Sequence, residues 1–110
     1  MQIPGCENAV VDVRKLRDYC LSTSHLRGRH KARVFASVLG LTDEHADELR
    51  NVLLDVVCND DAVVTSSDEY GQRYALDFVM RRDDKEATIR SVWIIRYGED
   101  FPRLTTCYVL

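Results

Sequence analysis

The second half of the sequence alternates apolar and polar residues, and this alternation most constrains the fold. In the clearest stretch, residues 72–82, apolar side chains recur at every second position. They are Tyr74, Leu76, Phe78 and Met80. A two-residue period is typical of a β-strand with one buried face. The sequence therefore predicts strands over residues 62–66, 72–82, 87–97 and 103–110, joined by short turns.

The first half of the sequence instead has apolar residues at helical spacing. Helices are predicted over residues 13–21, 28–39 and 43–58. Asp12 and Thr42 are typical N-cap residues, and Gly40 is typical of a helix end. This order predicts an α+β fold, with three N-terminal helices packed on one face of a four-stranded antiparallel meander. Trp93 lies in an apolar run and is expected at the centre of the core.

Length and hydropathy limit the class of protein. A chain of 110 residues is predicted to form a single domain over residues 1–110. No apolar run approaches the roughly 18 residues that span a bilayer, and the first residues lack the pattern of a signal peptide. We therefore expect a cytoplasmic protein with no membrane partner.

The four cysteines are scattered along the chain. Cys6, Cys20, Cys58 and Cys107 form no C-x-x-C pair, so their spacing predicts neither a metal site nor a redox motif. No other segment has metal-ligand or cofactor-binding spacing, and we expect no metal and no cofactor. The apolar neighbours of Cys20, Cys58 and Cys107 predict buried thiols.

A cluster of cations stands where the second helix is predicted to begin. Residues 25–34 contain four Arg or Lys and two His, with Gly28 among them. Backbone N–H groups at a helix start, flanked by Arg and His, are typical of an anion site, and phosphate is the commonest ligand. The net charge of −3 argues against a general polyanion binder and favours one bound anion or a short strand. A solvated basic surface is the alternative interpretation.

The last predicted strand carries two hydroxyl side chains. Thr106 and Tyr108 are two residues apart, so both are expected on the same face of the sheet. Ordinary strand propensity is the alternative reason for their presence. With His25 and with Arg27 or Lys31 nearby, they would supply a proton-transfer group, cations and hydroxyl donors. Metal-free RNA cleavage needs such parts, because a base takes the 2′-hydroxyl proton, an acid protonates the leaving 5′-oxygen, and cations stabilise the transition state.

Three segments spread over nearly the whole chain carry a further signal. They are His25-x-x-Gly28-x-x-Lys31-Ala32-x-x-Phe35, Tyr70-Gly71-x-Arg73-Tyr74, and Trp93 with Pro102-Arg103-Leu104-x-Thr106-x-Tyr108. Together they resemble a small family of bacterial domains of unassigned function, found alone and at the C-termini of toxin-like or phage-associated proteins, which implies an effector role. Helices followed by a meander with a Thr/Tyr pair more loosely resemble the barnase–EndoU–colicin–RelE class of metal-independent RNases.

The looser resemblance implies roles for individual residues. His25 would be the acid/base, Arg27 and Lys31 would hold the phosphate, and the two hydroxyl residues of the last strand would contact phosphate or base. The first hypothesis is therefore a metal-independent endoribonuclease of toxin type that binds RNA. Its catalytic residues would be His25, Lys31, Thr106 and Tyr108, and its binding residues would be Arg27, Arg29, Arg73 and Arg103.

The second hypothesis is a non-catalytic interaction or anion-binding module, such as an adaptor, an immunity-like protein or a regulatory domain. The basic segment would then dock a phosphate-containing ligand or an acidic protein, and Arg73 and Arg103 would form structural ion pairs. An enzyme acting on a phosphorylated small molecule is a third alternative. Because the last strand offers an exposed edge, a monomer or a weak homodimer is expected.

Overall fold

The computed structural model describes residues 1–110. Its helices are α1 (Val13–Lys15, continued by a π-helical turn over Leu16–Cys20), α2 (Arg29–Leu39) and α3 (Ala46–Asn59). Short 3₁₀ turns cover Cys6–Asn8 and Asp43–His45. The strands are β1 (Ala62–Asp68), β2 (Gly71–Arg82), β3 (Lys85–Arg96) and β4 (Arg103–Val109). The prediction of an α+β fold with three helices and four strands is confirmed.

The four strands form one sheet in the order β1-β2-β3-β4, with every neighbouring pair antiparallel. This is the predicted meander. β2 and β3 pair along their whole length, and Tyr74 faces Trp93 across the two strands. β1 is two residues longer than predicted, because the pairing continues to Asp68 opposite Gly71 before the chain turns.

Local sequence signals set the ends of the helices. The Asp12 carboxylate accepts a hydrogen bond of 3.0 Å from the Arg14 N–H at the start of α1. Gly40 ends α2 with a φ of 65°, which an L side chain rarely adopts. Before α3, Nδ1 of His45 accepts from the Thr42 N–H at 3.0 Å, which completes a capping box. The predicted caps are confirmed.

The core holds the alternating side chains of the sheet together with apolar residues of all three helices. Trp93 is fully buried, as predicted. Its indole N–H donates to Ser91 Oγ at 2.9 Å, and the Ser91 hydroxyl donates to the Leu76 carbonyl at 2.8 Å. Ser91 is the one polar residue of the chain that is buried as a whole. It satisfies a donor that would otherwise be buried without a partner.

The first eleven residues run between the two edges of the sheet. The Met1 carbonyl accepts from the Ala62 N–H of β1 at 2.7 Å. At the other edge, the Val10 N–H donates to the Pro102 carbonyl at 2.9 Å, and the Leu104 N–H of β4 donates to the Val10 carbonyl at 3.0 Å. This N-terminal segment (residues 1–11) therefore covers the beginning of β4.

A disulfide joins the N-terminal segment to α3. Cys6 and Cys58 are bonded, with 5.3 Å between their Cα atoms. The prediction of a free buried thiol at Cys58 is wrong, because the fold brings the 3₁₀ turn at Cys6 beside the last turn of α3. Cys20 and Cys107 are free and buried, as predicted. Disulfides persist mainly in oxidising compartments, and the compartment of this protein stays a prediction.

None of the three helices combines the length and the hydrophobicity that crossing a bilayer requires.

Candidate anion site at the start of α2

The cationic segment before α2 packs closely against α1. A Cβ atom added to Gly28 would lie 2.5 Å from the Tyr19 carbonyl oxygen, well inside van der Waals contact. Gly28 is buried although its neighbours Arg27 and Arg29 are exposed. Glycine is therefore required at this position, because only a residue without a side chain lets the segment approach α1 so closely.

His25 caps the turn that leads into α2. Its Nδ1 accepts hydrogen bonds from the N–H groups of Arg27 and Gly28, both at 3.1 Å. Its ring also meets the Tyr19 ring edge-on, with 4.5 Å between centroids. Because Nδ1 accepts, the imidazole hydrogen of the neutral ring is on Nε2. A proton arriving at Nδ1 would displace both hydrogen bonds.

Two backbone donors remain open in the first turn of α2. The Arg29 N–H donates to the His25 carbonyl and the Ala32 N–H donates to the Gly28 carbonyl, each at 2.9 Å. The N–H groups of His30 and Lys31, which lie between them, have no acceptor among the hydrogen bonds of the structure. Free N–H groups at a helix start are the feature that binds anions.

The cations around these donors are also free. The ion pairs of the structure all involve other positive groups. In this segment Arg27, Arg29, Lys31 and Arg33 are exposed and have no acidic partner. A shallow depression lined by Tyr19, Ser24, His25, Leu26 and Arg27 lies beside them. Like charges gathered without counter-ions create a positive potential that attracts an anion.

Lys31 connects α2 with β4. Its ammonium nitrogen lies 4.4 Å from the centroid of the Tyr108 ring. The register places Thr106 opposite Val92 and Tyr108 opposite Arg90, so the two hydroxyl residues share a face, as predicted. The structure thus brings together Lys31 and Tyr108. No hydrogen bond or ring contact joins His25 to either hydroxyl residue.

Thr106 carries a buried hydroxyl without a hydrogen-bond partner. Beside it lie the free thiols of Cys20 and Cys107, one from α1 and one from β4. Hydrogen bonding from Cys107 lowers the pKa of Cys20 to about 7, whereas the same contact raises the pKa of Cys107. The Thr106 hydroxyl is near enough to contribute to the lowering, although it lacks the geometry of a hydrogen bond. The 87-residue separation of the two thiols left no local signal for this cluster.

Arg73 and Arg103 form the ion pairs that the second hypothesis expected. Arg73 pairs with Asp68. Arg103 donates to both carboxylate oxygens of Glu99, at 3.0 and 2.8 Å, and lowers the pKa of that carboxyl. Its guanidinium carbon also lies 5.0 Å from the Phe101 ring centroid. A bidentate pair of this kind orients the arginine and leaves part of its donor set available.

One group of side chains converges as metal ligands do. The ligand atoms of Cys6, Glu7 and Cys58 lie within 4.8 Å of one another. The two sulfurs are joined in the disulfide, so neither is a thiolate that could bind a metal. The group therefore gives no support for a metal centre in the oxidised protein.

The fold and the site define a small α+β domain with an open cationic helix start. The chain belongs to the family described as Domain of unknown function (DUF6883), whose model matches residues 2–110. No curated protein and no solved structure matches the chain. The expectation of an uncharacterised family is thus confirmed, while bacterial origin and likeness to RNases stay predictions.

Proposed function

We propose that the domain is an anion-binding interaction module that holds a phosphate-bearing ligand at the start of α2. The observation that carries the proposal is the coincidence of two free N–H groups with four unpaired cations. A helix start of this kind favours negative charge through its open donors and its dipole. Arg27, Arg29 and Lys31 would add charge-assisted hydrogen bonds to phosphate oxygens.

The rest of the sheet supports this location. We infer that the helices cover the face of Tyr74 and Leu76, and that the opposite face carries Arg73, Asp77 and Arg90. Two positive groups of that face already have partners, since Arg73 pairs with Asp68 and Arg90 pairs with Asp77. A phosphate bound to either of them would have to displace a carboxylate, whereas the cations at the start of α2 have no such partner.

Binding to a labelled single-stranded RNA, followed by fluorescence anisotropy over a range of salt concentrations, tests the proposal. Replacing both Arg27 and Arg29 by Gln should weaken binding and reduce the slope of log K against log salt by about one per lost phosphate contact. Arg81→Gln is the matched control, because Arg81 is an exposed arginine paired with Glu86. Equal affinity of the wild type and the double variant would overturn the proposal. An acidic protein partner would then remain to be tested.

A second candidate function is the metal-independent endoribonuclease of toxin type. The observation in its favour is the contact of Lys31 with Tyr108 beside the unpartnered Thr106 hydroxyl. Against it stands the cap at His25. A histidine that exchanges protons at Nε2 must carry hydrogen on both ring nitrogens when it is charged, and Nδ1 here is an acceptor. The interaction module is therefore the function that the geometry supports better.

Incubation of total RNA with the protein in EDTA separates the two candidates. The nuclease candidate expects cleavage by the wild type and its loss in His25→Ala and Lys31→Ala. Binding of RNA without cleavage is the result that the interaction module expects. Cleavage that survives both substitutions would count against the assigned catalytic residues.

A weak homodimer that pairs through the edge of β4 is a further proposal. The N-terminal segment occupies the beginning of that edge, so only the part of β4 beyond Leu104 is open to a second copy. A monomer mass that does not change with protein concentration in analytical ultracentrifugation would show that the domain does not dimerise.

A further inference from the structure

We propose that a second binding site at the end of β3 takes a nucleoside monophosphate in two adjoining hollows that share Arg96. This site is separate from the anion site at α2 and does not depend on it. One hollow is small and cationic, and the other is larger, polar and aromatic.

The small hollow has a volume of about 120 Å³ and lies between the N-terminal segment, α1 and the beginning of β4. Lys15, Arg96 and Arg103 provide its positive charge. Its one lining acid, Asp12, is engaged by the Arg14 guanidinium at 3.2 and 3.1 Å. The lining therefore has more positive than negative charge, and phosphate is the dianion that lysine and arginine recognise best.

The three cations of this hollow still have donors to offer. Two nitrogens of Arg103 bind Glu99, which leaves the third nitrogen of its guanidinium. The Lys15 ammonium makes one long hydrogen bond, of 3.5 Å, to the Leu104 carbonyl. Arg96 is exposed and belongs to no ion pair. Glu99 faces both Arg103 and Arg96, and both lower the pKa of its carboxyl. Since one carboxylate carries a single negative charge, one positive charge of the two arginines is left without compensation.

The larger hollow has a volume of about 440 Å³ and extends from Arg96 over the ends of β1, β2 and β3. On its lining, the Gln72 amide nitrogen donates to the Tyr74 hydroxyl oxygen at 2.7 Å. This leaves the Tyr74 O–H hydrogen and the Gln72 amide oxygen as one donor and one acceptor. A donor beside an acceptor matches the polar edge of a nucleobase, as in sites that read bases through hydrogen bonds.

Tyr97 supplies an aromatic surface at the same hollow. Tyr97 lines the hollow and is 70% exposed, so its ring is accessible to a ligand. Bases stack on such rings with a contribution of about 1–3 kcal/mol each. Arg96 and Tyr97 both line this hollow, so one small ligand could place a base on the ring and a phosphate on the guanidinium.

The backbone holds this site in place. Gly71 has a φ of 147°, and a Cβ atom there would lie 2.1 Å from the Ile95 carbonyl oxygen. The lining of the larger hollow is thus formed where β2 and β3 approach more closely than side chains allow. Rigid strands position binding groups with little loss of entropy when a ligand arrives. The combined requirement for a phosphate, a polar edge and a flat ring selects a nucleotide over inorganic phosphate.

Isothermal titration calorimetry with AMP, GMP, CMP and UMP tests the proposal, with adenosine and inorganic phosphate as reference ligands. At least one nucleotide should bind about tenfold or more tightly than either reference. Arg96→Gln should lower the affinity for that nucleotide about tenfold. Tyr97→Ala should also lower the affinity, whereas Tyr97→Phe should not. Arg81→Gln is the matched control for loss of an exposed arginine.

Three results would overturn the proposal. They are no binding of any nucleotide, binding of inorganic phosphate as tight as that of the nucleotides, and equal affinity of wild type and Arg96→Gln. Arg27→Gln distinguishes the two sites of the molecule. If that substitution removes nucleotide binding, the ligand occupies the start of α2 and the site at Arg96 is wrong.

Discussion

The Lys31 ammonium group lies over the Tyr108 ring at 4.4 Å from its centroid, and this contact joins the cationic helix start to the last strand. Lys31 is exposed and Tyr108 is half-buried. An anion bound at α2 would therefore meet a lysine whose position is already restricted by the ring. The contact restricts the lysine without neutralising its charge.

Two substitutions of Tyr108 distinguish the contribution of its ring to stability from that of its hydroxyl. Tyr108→Leu removes the cation–π contact and should lower the free energy of unfolding by about 0.5–1 kcal/mol, the range for exposed contacts of this type. Tyr108→Phe keeps the ring and should retain most of that stability. Urea unfolding measures both variants, and equal losses in the two would show that the contact with Lys31 contributes nothing.

His25 is expected to matter through its cap. His25→Ala leaves the N–H groups of Arg27 and Gly28 without an acceptor and should cost about 1 kcal/mol of stability. His25→Asn offers an amide oxygen in a favoured capping residue and should recover most of it. His30→Ala is the control, because the His30 side chain is exposed and makes no hydrogen bond. Thermal unfolding compares the three, and a loss in His25→Asn as large as in His25→Ala would contradict the capping role.

The stability of the fold should depend on the hydroxyl oxygen of Ser91. Ser91→Ala leaves the Trp93 indole N–H buried without an acceptor, which should cost about 1–3 kcal/mol. Ser66→Ala, at an exposed position of β1, is the control and should change stability little. Urea unfolding followed by the fluorescence of Trp93 measures both. An unchanged midpoint for Ser91→Ala would mean that the indole finds another acceptor.

Stability should decline in acid partly through Asp77. The Arg90 guanidinium donates to both of its carboxylate oxygens, at 2.8 and 2.9 Å, and holds the pKa of Asp77 below its ordinary value. A lowered pKa in the folded state means that the carboxylate stabilises the fold fully above its unfolded pKa of about 3.9. That contribution is lost as the pH falls through the lower folded value.

Asp77→Asn should therefore show a flatter decline of stability below about pH 4 than the wild type. Asp84→Asn is the control, because Asp84 lies in the hairpin turn and forms no ion pair. Chemical unfolding at a series of acidic pH values measures the slopes. Parallel curves of stability against pH for the wild type and Asp77→Asn would show that Asp77 does not contribute to the loss of stability in acid.

Local patterns predicted the fold well and the site only in part. The alternation around Leu76 and the caps at Asp12 and Gly40 are properties of neighbouring residues, so they can be read before the chain folds. The disulfide of Cys6 and the pairing of Val10 with β4 depend on residues far apart in the sequence, for which no local signal exists.

In the cationic segment, too, some features follow from neighbouring residues and others depend on the folded structure. Its position at the start of a helix follows from helical spacing, and the sequence places Gly28 within the segment. That the ring of His25 would face its own backbone depends on the turn that residues 25–28 adopt. His25 is predicted both as a proton carrier and as a polar group near a helix start; the structure shows the second arrangement, and the first stays a prediction.

The N-terminal segment has a consequence for how the domain is made. Val10 pairs with Pro102 and Leu104, so β4 must be synthesised before this segment finds its partners. On a ribosome, the segment must wait until β4 has left the exit tunnel before both sheet edges are closed. Ribosome-bound chains that stop before Pro102 should expose the beginning of the chain to proteases that the finished domain resists.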